Sequence, residues 1–387
     1  EAAPNGWVME YYVGKDYSLG GITLLCKFDG QRVTMASQIA GADETVSSLY
    51  SVKSEQATML SFDTYNYLVH YFGQPQGSMA DDPNGTLGGD YEFVISDATA
   101  DRIELKGKKY GNRIVMKAFS ADQTWKQYLT RIKKVEDDAF FYEYDLRMDG
   151  LYTGQMLRSN YTFIVTYYDE VGKVHQKTVP FMFTTDGMRF HEPVTIDGQT
   201  MQNFVWKNEE ISFVCTDEGA TEVKLAGVYT AGYQSYDYYP GTYQMDFYRL
   251  NDATNQMEVA SQEIQLVKDE DGKSYWLKGL EYDILVTYDK PRGGLSILPQ
   301  FLKKVQGGYV YLAMWDLMND YVLRSSAIGL ISYPTTDGIY LVDNGVWMGE
   351  ISGFIFGVYD SQDEEASFMG YTDAVAAIRL VKKTIEE

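Results

Sequence analysis

The sequence is poor in the residues that most enzyme chemistry uses. It holds 2 cysteines and 3 histidines in 387 residues. Zinc sites need clustered thiolates and imidazoles. Cys26 and Cys215 lie far apart in the chain, so no metal site is expected. Each sits in an apolar run, Leu24-Leu25-Cys26 and Phe213-Val214-Cys215. Two buried free thiols are expected, with a disulfide as the alternative. Positive charge is also scarce: 33 Lys and Arg stand against 55 Asp and Glu, a formal net charge of −22. A field of that sign repels phosphate backbones and anionic membrane surfaces, and no basic stripe offsets it. Nucleic acid is therefore excluded as a partner. No run approaches the roughly 18 apolar residues of a membrane-spanning helix. There is no Gly-x-Ser-x-Gly elbow and no Cys/His signature of a nucleophile. Gly88-Gly89-Asp90 precedes a strand, whereas a phosphate cradle follows a strand and opens a helix. No catalytic residue and no cofactor can be assigned.

What is present is apolar and aromatic. Hydrophobic residues make up 45% of the chain, enough for real cores, and aromatics 15%, led by 33 Tyr. Tyr suits pleated, half-buried surfaces and keeps a polar end for water or a ligand. Short alternating runs with Gly, Asn and Asp between them dominate. Gly20 to Asp29 and Arg32 to Met35 read as strands around Gly30, whose neighbour Asp29 completes a hairpin signal. Tyr91–Ile95, Arg102–Gly107 and Arg113–Met116 follow the same grammar, and Tyr161–Tyr167 is expected to pair with Val174–Phe183. The fold class is all-β, mostly antiparallel with one or two short helices: a calycin-like barrel or sandwich plus a second β domain.

Ser120 followed by Gln123 fits a capping box, and Trp125, Leu129 and Ile132 share a helix face, which predicts a helix near 121–135. It separates two meanders within a first domain, 1–230. The hairpins at Ile22–Val33 and Tyr161–Val174, each followed by a Phe-Asp or Thr-Asp step, suggest an internal duplication. A Tyr-rich stretch, Tyr229–Tyr243, opens a second domain, 231–387. At the C-terminus, Ala374, Ile378, Val381 and Ile385 fit a helix capped by Thr372, and a closing strand fits equally well.

Few residues offer chemistry. His70, among aromatics, has the titration range of a general base, but a hydrogen-bonded structural histidine is the simpler reading. His175 sits beside the hairpin turn containing Asp169-Glu170-Val171-Gly172. His191-Glu192 lacks the second His of a zinc helix. Asp81-Asp82, Asp137-Asp138 and Asp269-Glu270-Asp271 read as solvated turns before they read as glycosidase carboxylates or calcium ligands. Exposed aromatics are the remaining lead, and Tyr233, Tyr236, Tyr238, Tyr239 and Trp315 are the candidates for ligand binding.

The runs Leu60-Ser61-Phe62-Asp63-Thr64-Tyr65-Asn66, His70-Tyr71-Phe72, Gly88-Gly89-Asp90-Tyr91-Glu92-Phe93 and Leu105-Lys106-Gly107-Lys108-Lys109-Tyr110-Gly111-Asn112, with Gly6-Trp7-Val8 before them, resemble a family of Bacteroidetes lipoproteins of unknown function, DUF4302. The resemblance is most specific over about residues 5–120. It implies a mature protein lipid-anchored to the outer membrane, on its cell-surface or periplasmic face. The anchor cysteine would precede this chain, and Glu1-Ala-Ala-Pro-Asn reads as a tether left after a leader is removed. It also implies neighbours such as SusC/SusD-type importer components, and no reaction. Asn66, His70 and Asp90 form a polar cluster within the resembling runs, either a site or a fixture of strand register, with register favoured. The expected function is non-enzymatic: a surface lipoprotein binding a glycan or peptide, or supporting an import complex. The alternatives are a glycan-directed hydrolase with an unrecognised acidic pair and a structural assembly module.

Overall fold

The computed structural model describes residues 2–54, 57–74, 86–169, 171–251, 253–254, 256–363 and 365–383. The loop Asp81–Gly85 and Glu170 fall outside them. The chain divides into two compact units, Glu1–Val228 and Tyr229–Glu387.

The first unit contains two closed antiparallel barrels. Strands β1 (Trp7–Val13), β2 (Gly20–Asp29), β3 (Arg32–Ser37), β4 (Val46–Ser54), β5 (Thr58–Phe62), β6 (Glu92–Ala98), β7 (Arg102–Gly107) and β8 (Arg113–Ala118) run in sequence order, and β8 closes on β1. The second barrel has β9 (Glu143–Met148), β10 (Leu151–Ser159), β11 (Thr162–Tyr168), β12 (Val174–Phe183), β13 (Gly187–Ile196), β14 (Gln199–Lys207), β15 (Ser212–Cys215) and β16 (Lys224–Val228), closed by β16 on β9. The all-β class holds, and the two meanders do not share one barrel. Each closes on itself because its own first and last strands satisfy each other's backbone groups, which leaves no open edge.

Alternation explains the cores. In β1, Trp7, Met9 and Tyr11 point inward and are buried, and Leu24 and Cys26 of β2 join them in one cluster. The expected hairpin between β2 and β3 forms with Asp29 opposite Arg32 and Gly30 at φ 62°, a conformation that glycine adopts without steric cost. Phe163, Phe181, Phe183 and Phe213 fill the second barrel. Cys26 and Cys215 are free, buried thiols in different barrels. The hairpins that suggest a duplication are not equivalent. Ile22–Val33 spans the second and third strands of its barrel, and Tyr161–Val174 the third and fourth.

The linking helix, α2, is Trp125–Asp138, one turn later than the sequence suggests. Thr124 and Gln127 also spell a capping box, and it is they that form it: the Gln127 amide donates to Thr124 Oγ1 at 3.2 Å, and the Thr124 amide to Gln127 Oε1 at 2.9 Å. Ser120 cannot start the helix because the chain just before it still belongs to the first barrel, with the amides of Ala118 and Phe119 donating to Asp101 and Gly6 carbonyls at 2.8 Å each. The shorter helix α1 (Tyr67–His70) lies between β5 and β6.

In the second unit, β17 (Gly241–Asn251), β18 (Gln256–Lys268), β19 (Ser274–Lys278), β20 (Ile284–Asp289), β21 (Gly294–Ile297), β22 (Gln300–Val305), β23 (Gly308–Asp316), β24 (Tyr321–Leu323), β25 (Leu330–Thr335), β26 (Gly338–Asp343), β27 (Gly353–Tyr359) and β28 (Phe368–Lys382) form one 12-stranded sheet. Its path runs β17-β18-β19-β20-β21-β25-β26-β28, and β17 pairs with β28, so these strands close a ring. The strand alternative for the C-terminus is the one that forms. Val381, Leu380 and Arg379 pair with β17, Arg379 and Leu380 also with β26, and the earlier half of β28 pairs with β27. Ala377, at φ 50°, marks the kink where β28 changes partners. Ala374, Ile378 and Leu380 are buried, but sheet hydrogen bonds on both sides outcompete a helix that would bury one face only.

Candidate functional site

At one end of the first barrel, helix α1 shapes a cleft. Its N-cap is Asn66, whose Oδ1 accepts from the Leu68 amide at 3.2 Å while its Nδ2 donates to Ser48 Oγ at 3.2 Å. The cap fixes the helix on the barrel, and Leu68 and Val69 sink fully into the core. Phe72 follows them, edge-on to Tyr11 at 5.9 Å. Tyr67 and Tyr71, one helical turn apart, are left on the outside. They line a cleft of about 660 Å³ with Phe72, Leu87, Leu19 and Ile39.

The opposite wall comes from the second barrel, where Asn160 and Tyr161 in the β10–β11 turn face Gly20 across the cleft floor. Contact there is backbone to backbone. A Cβ on Gly20, which sits at φ 72°, would stand 2.0 Å from the Tyr161 carbonyl oxygen. The two barrels are also tied by charge. Glu10 of β1 accepts from Arg189 of β13 at 2.6 Å and from Lys117 of β8 at 2.8 Å. Burial pulls the Glu10 carboxyl upward, but the two cations outweigh it and hold it below its ordinary value. Lys133 of α2 donates to the Gln38 and Ala40 carbonyls at 2.7 and 2.8 Å. The walls of the cleft are thus fixed independently of any occupant.

The cleft is apolar by construction. The Tyr67 hydroxyl donates to the Glu44 carboxylate, which pushes the phenol up to about 12. The Tyr161 hydroxyl donates to Glu136 at 2.8 Å. Both tyrosines therefore turn ring surface inward and keep their polar ends engaged elsewhere.

A model for a family described as a domain of unknown function, DUF4302, matches residues 1–208. The chain belongs to this family. A second domain of unknown function, DUF4987, matches residues 216–355. The DUF4302 match covers the first barrel and β9 to β14, and the closing strands β15 and β16 lie beyond it. No curated protein matches the chain. Two solved structures align at 12% identity and a TM-score of 0.13: intact Ap-TbpB with its N and C lobes, covering 98% of this chain and 76% of that one, and a mutant of the vaccine antigen transferrin binding protein B from Haemophilus parasuis Hp5, covering 98% and 75%. At that TM-score neither carries an argument about this chain.

Within the DUF4302 span, Asn66 and His70 are in contact, and His70 packs on Tyr91, the residue after Asp90. His70 Nδ1 lies 3.0 Å from the Asn66 carbonyl, and its ring stacks on Tyr91 at 4.7 Å. Burial lowers its affinity for a proton. The Asp90 carboxylate accepts from the Lys109 amide at 2.7 Å and the Tyr110 amide at 3.2 Å, and its backbone is bracketed by the Tyr11 hydroxyl. Among the described residues it is the carboxyl that burial raises. The hollow beside it is about 120 Å³, and the neighbouring Glu92 is paired with Lys108 at 2.9 Å. His191 is wedged between Tyr12 and Tyr17, 4.3 Å from each ring centre. His175 stacks on Tyr167 and meets Asp169 at 2.9 Å. The Asp269–Asp271 carboxylates accept from the turn's own amides and from Trp276.

The four candidate tyrosines of the second unit are linked in one cluster through Tyr288, and Trp315 is not part of it. Tyr239 is fully buried and donates to the Gly293 carbonyl at 2.8 Å, and Tyr236 packs on Tyr275. Tyr233 accepts from Tyr288 at 3.2 Å. Tyr238 is open, with the Lys382 ammonium 5.0 Å above its ring. Trp315 is buried in a separate cluster with Ala313, Ile355 and Ala376. Tyr67 and Tyr71, which line the cleft, escape sequence reasoning. The signal was available in Asn66 as a cap followed by two tyrosines at helical spacing.

Proposed function

We propose that this protein is a non-enzymatic, lipid-anchored binding protein of the bacterial cell surface that captures peptides by seating an apolar side chain in the α1 cleft. The observation that carries the reading is the lining of a preformed cavity of about 660 Å³ by Leu19, Ile39, Tyr71, Phe72 and Leu87. Sites of this size and apolar character are the common form of ligand pockets. The mostly apolar lining favours a peptide over the glycan also expected from sequence. A glycan placed in the cleft would bury hydroxyls opposite carbon, at a cost of about 1–3 kcal/mol for each one left unpaired. A Leu or Phe side chain loses nothing there and gains about 1.5–3 kcal/mol by leaving water. Resemblance to lipoproteins supports the surface location.

Isothermal titration with hexapeptides that carry Phe, Leu or Ser at the central position tests the reading. The Phe and Leu peptides should bind with a negative heat-capacity change, and the Ser peptide should not. Ile39→Asp, at an exposed rim position, should abolish binding while leaving the thermal transition in place. Equal binding by the Ser peptide, or undiminished binding by the I39D variant, contradicts the proposal.

A further inference from the structure

The second unit carries a different surface. In β23, Val310, Leu312 and Met314 point into the core, and Tyr309, Tyr311, Ala313 and Trp315 point away from it. Register extends this outer face across four strands. Phe301 of β22 lies opposite Tyr311, Tyr311 opposite Gly357 of β27, and Gly357 opposite Tyr371 of β28. In the adjacent row, Tyr309 faces Tyr359, and Tyr359 faces Phe368.

Half of this face is covered. Ala313, Trp315, Ile355, Ala374 and Ala376 lie beneath Leu250 and Met257 of the long β17–β18 hairpin. The other half is open at its edges, where Phe301 is 45% exposed, Phe368 44% and Tyr371 36%, and closed at its centre, where Tyr359 is buried beside Arg324. Gly357 leaves a gap in the middle of the row, and the Tyr359 and Phe368 rings lean into it, within 2.9 and 3.1 Å of where a Cβ would stand. The result is a continuous aromatic floor. Phe301 and Tyr371 stand three strands apart, about 14 Å at ~4.8 Å per strand.

Polar groups are set among the rings. The Arg324 guanidinium lies 4.8 Å from the Tyr311 ring centre and 4.2 Å from that of Tyr359, and it also donates to the Asp363 carbonyl. Beside the floor, Asp360, Ser361, Asp363, Glu365 and Ala366 line a hollow of about 430 Å³. An aromatic floor with a guanidinium donor and a carboxylate-rich rim matches a chain of sugar rings, whose C–H faces stack on aromatics and whose hydroxyls need both donors and acceptors. The acidic rim, on a chain of net charge −22, disfavours sulfated or uronic-acid chains. The span between Phe301 and Tyr371 exceeds one sugar ring.

We propose that the open half of this sheet face, from Phe301 across Tyr311 and Arg324 to Tyr371, is a binding platform for a neutral oligosaccharide, distinct from the α1 cleft. The test uses the whole chain and titrates it with neutral hexasaccharides of glucose, mannose, xylose and galactose, alongside a uronic-acid hexasaccharide. At least one neutral chain should bind and the acidic one should not. The double variant Phe301→Ala with Tyr371→Ala should weaken binding about tenfold or more, the size expected for losing two stacking faces. Asp363→Asn, which leaves the floor intact, should weaken it less. Sedimentation run in parallel separates the rival occupant. No binding by any neutral chain at millimolar concentration overturns the proposal, as does undiminished binding by the double variant. Self-association of the native chain that the double variant loses also overturns it, by making the face a contact with a second copy. Because the cleft is untouched by these changes, the peptide titration reports on it separately.

Discussion

The barrels of the first unit and the ring of the second are built from the same number of paired strands but treat their aromatics differently. In the first two, closure is complete: β8 returns to β1 and β16 to β9, and the large rings Tyr11, Phe93, Tyr144 and Phe163 are inside. The ring of the second unit closes through only part of β28. The earlier part of that strand, still paired with β17 at Val375 and Ala376, has β27 on its other side, and β27 carries β23 and β22 outward as a side sheet. That side sheet has an outer face, and a hairpin covers half of it. The two binding surfaces follow from this difference. In the closed barrel the proposed site lies at one end, as a cleft under a helix. A strand shared between a ring and a side sheet leaves a flat face, and that face can be paved with rings.

The largest loss is expected in the core of the second unit. Phe356 lies on the inner side of β27, 1% exposed, and Phe356→Ala should cost about 3–5 kcal/mol in urea unfolding. In the first unit, Gly20→Ala should cost about 3 kcal/mol, because a Cβ meets the Tyr161 carbonyl and φ is left-handed. Peptide-resolved hydrogen exchange should place that loss in β2 and the β10–β11 turn. Glu10→Gln should cost about 2 kcal/mol at neutral pH by leaving Arg189 and Lys117 without their carboxylate. The sign with pH follows from the depressed Glu10 carboxyl. Its contribution is full above the ordinary value of 4.5 and is lost as pH falls through the lower folded value. Unfolding curves taken from pH 6 to pH 3 should therefore converge for the native chain and the Gln variant. The smallest effect belongs to the outer face, where Phe301→Ala should change stability by less than about 0.5 kcal/mol. A large loss there would mean that the face is structural.

Much of the architecture was legible in local pattern. The Asp29-Gly30 hairpin, the β11–β12 pairing and the existence of a helix between two meanders all follow from alternation, turn residues and caps. What local pattern cannot give is closure. Nothing in Arg113–Ala118 announces that its partner is Trp7–Val13, more than 100 residues earlier, in place of a strand in the following meander. The same limit misplaced the sites. Trp315 and Tyr311 lie on one face of one strand, but a distant hairpin covers the first and leaves the second half-exposed. Tyr239 sits in a loose-looking loop and is fully buried. Exposure is set by what packs across the chain, and composition carries no record of it.

The α1 cleft and the aromatic sheet face are proposed as two binding surfaces of different chemistry on one chain. Hydrogen exchange of the intact protein, with a bound neutral hexasaccharide and separately with a Phe-centred hexapeptide, tests this proposal most directly. Protection is expected in β22, β23, β27 and β28 with the sugar alone, and in 13–22 and 67–72 with the peptide alone. Protection of the same segments by both ligands, or of neither region by either, would contradict it.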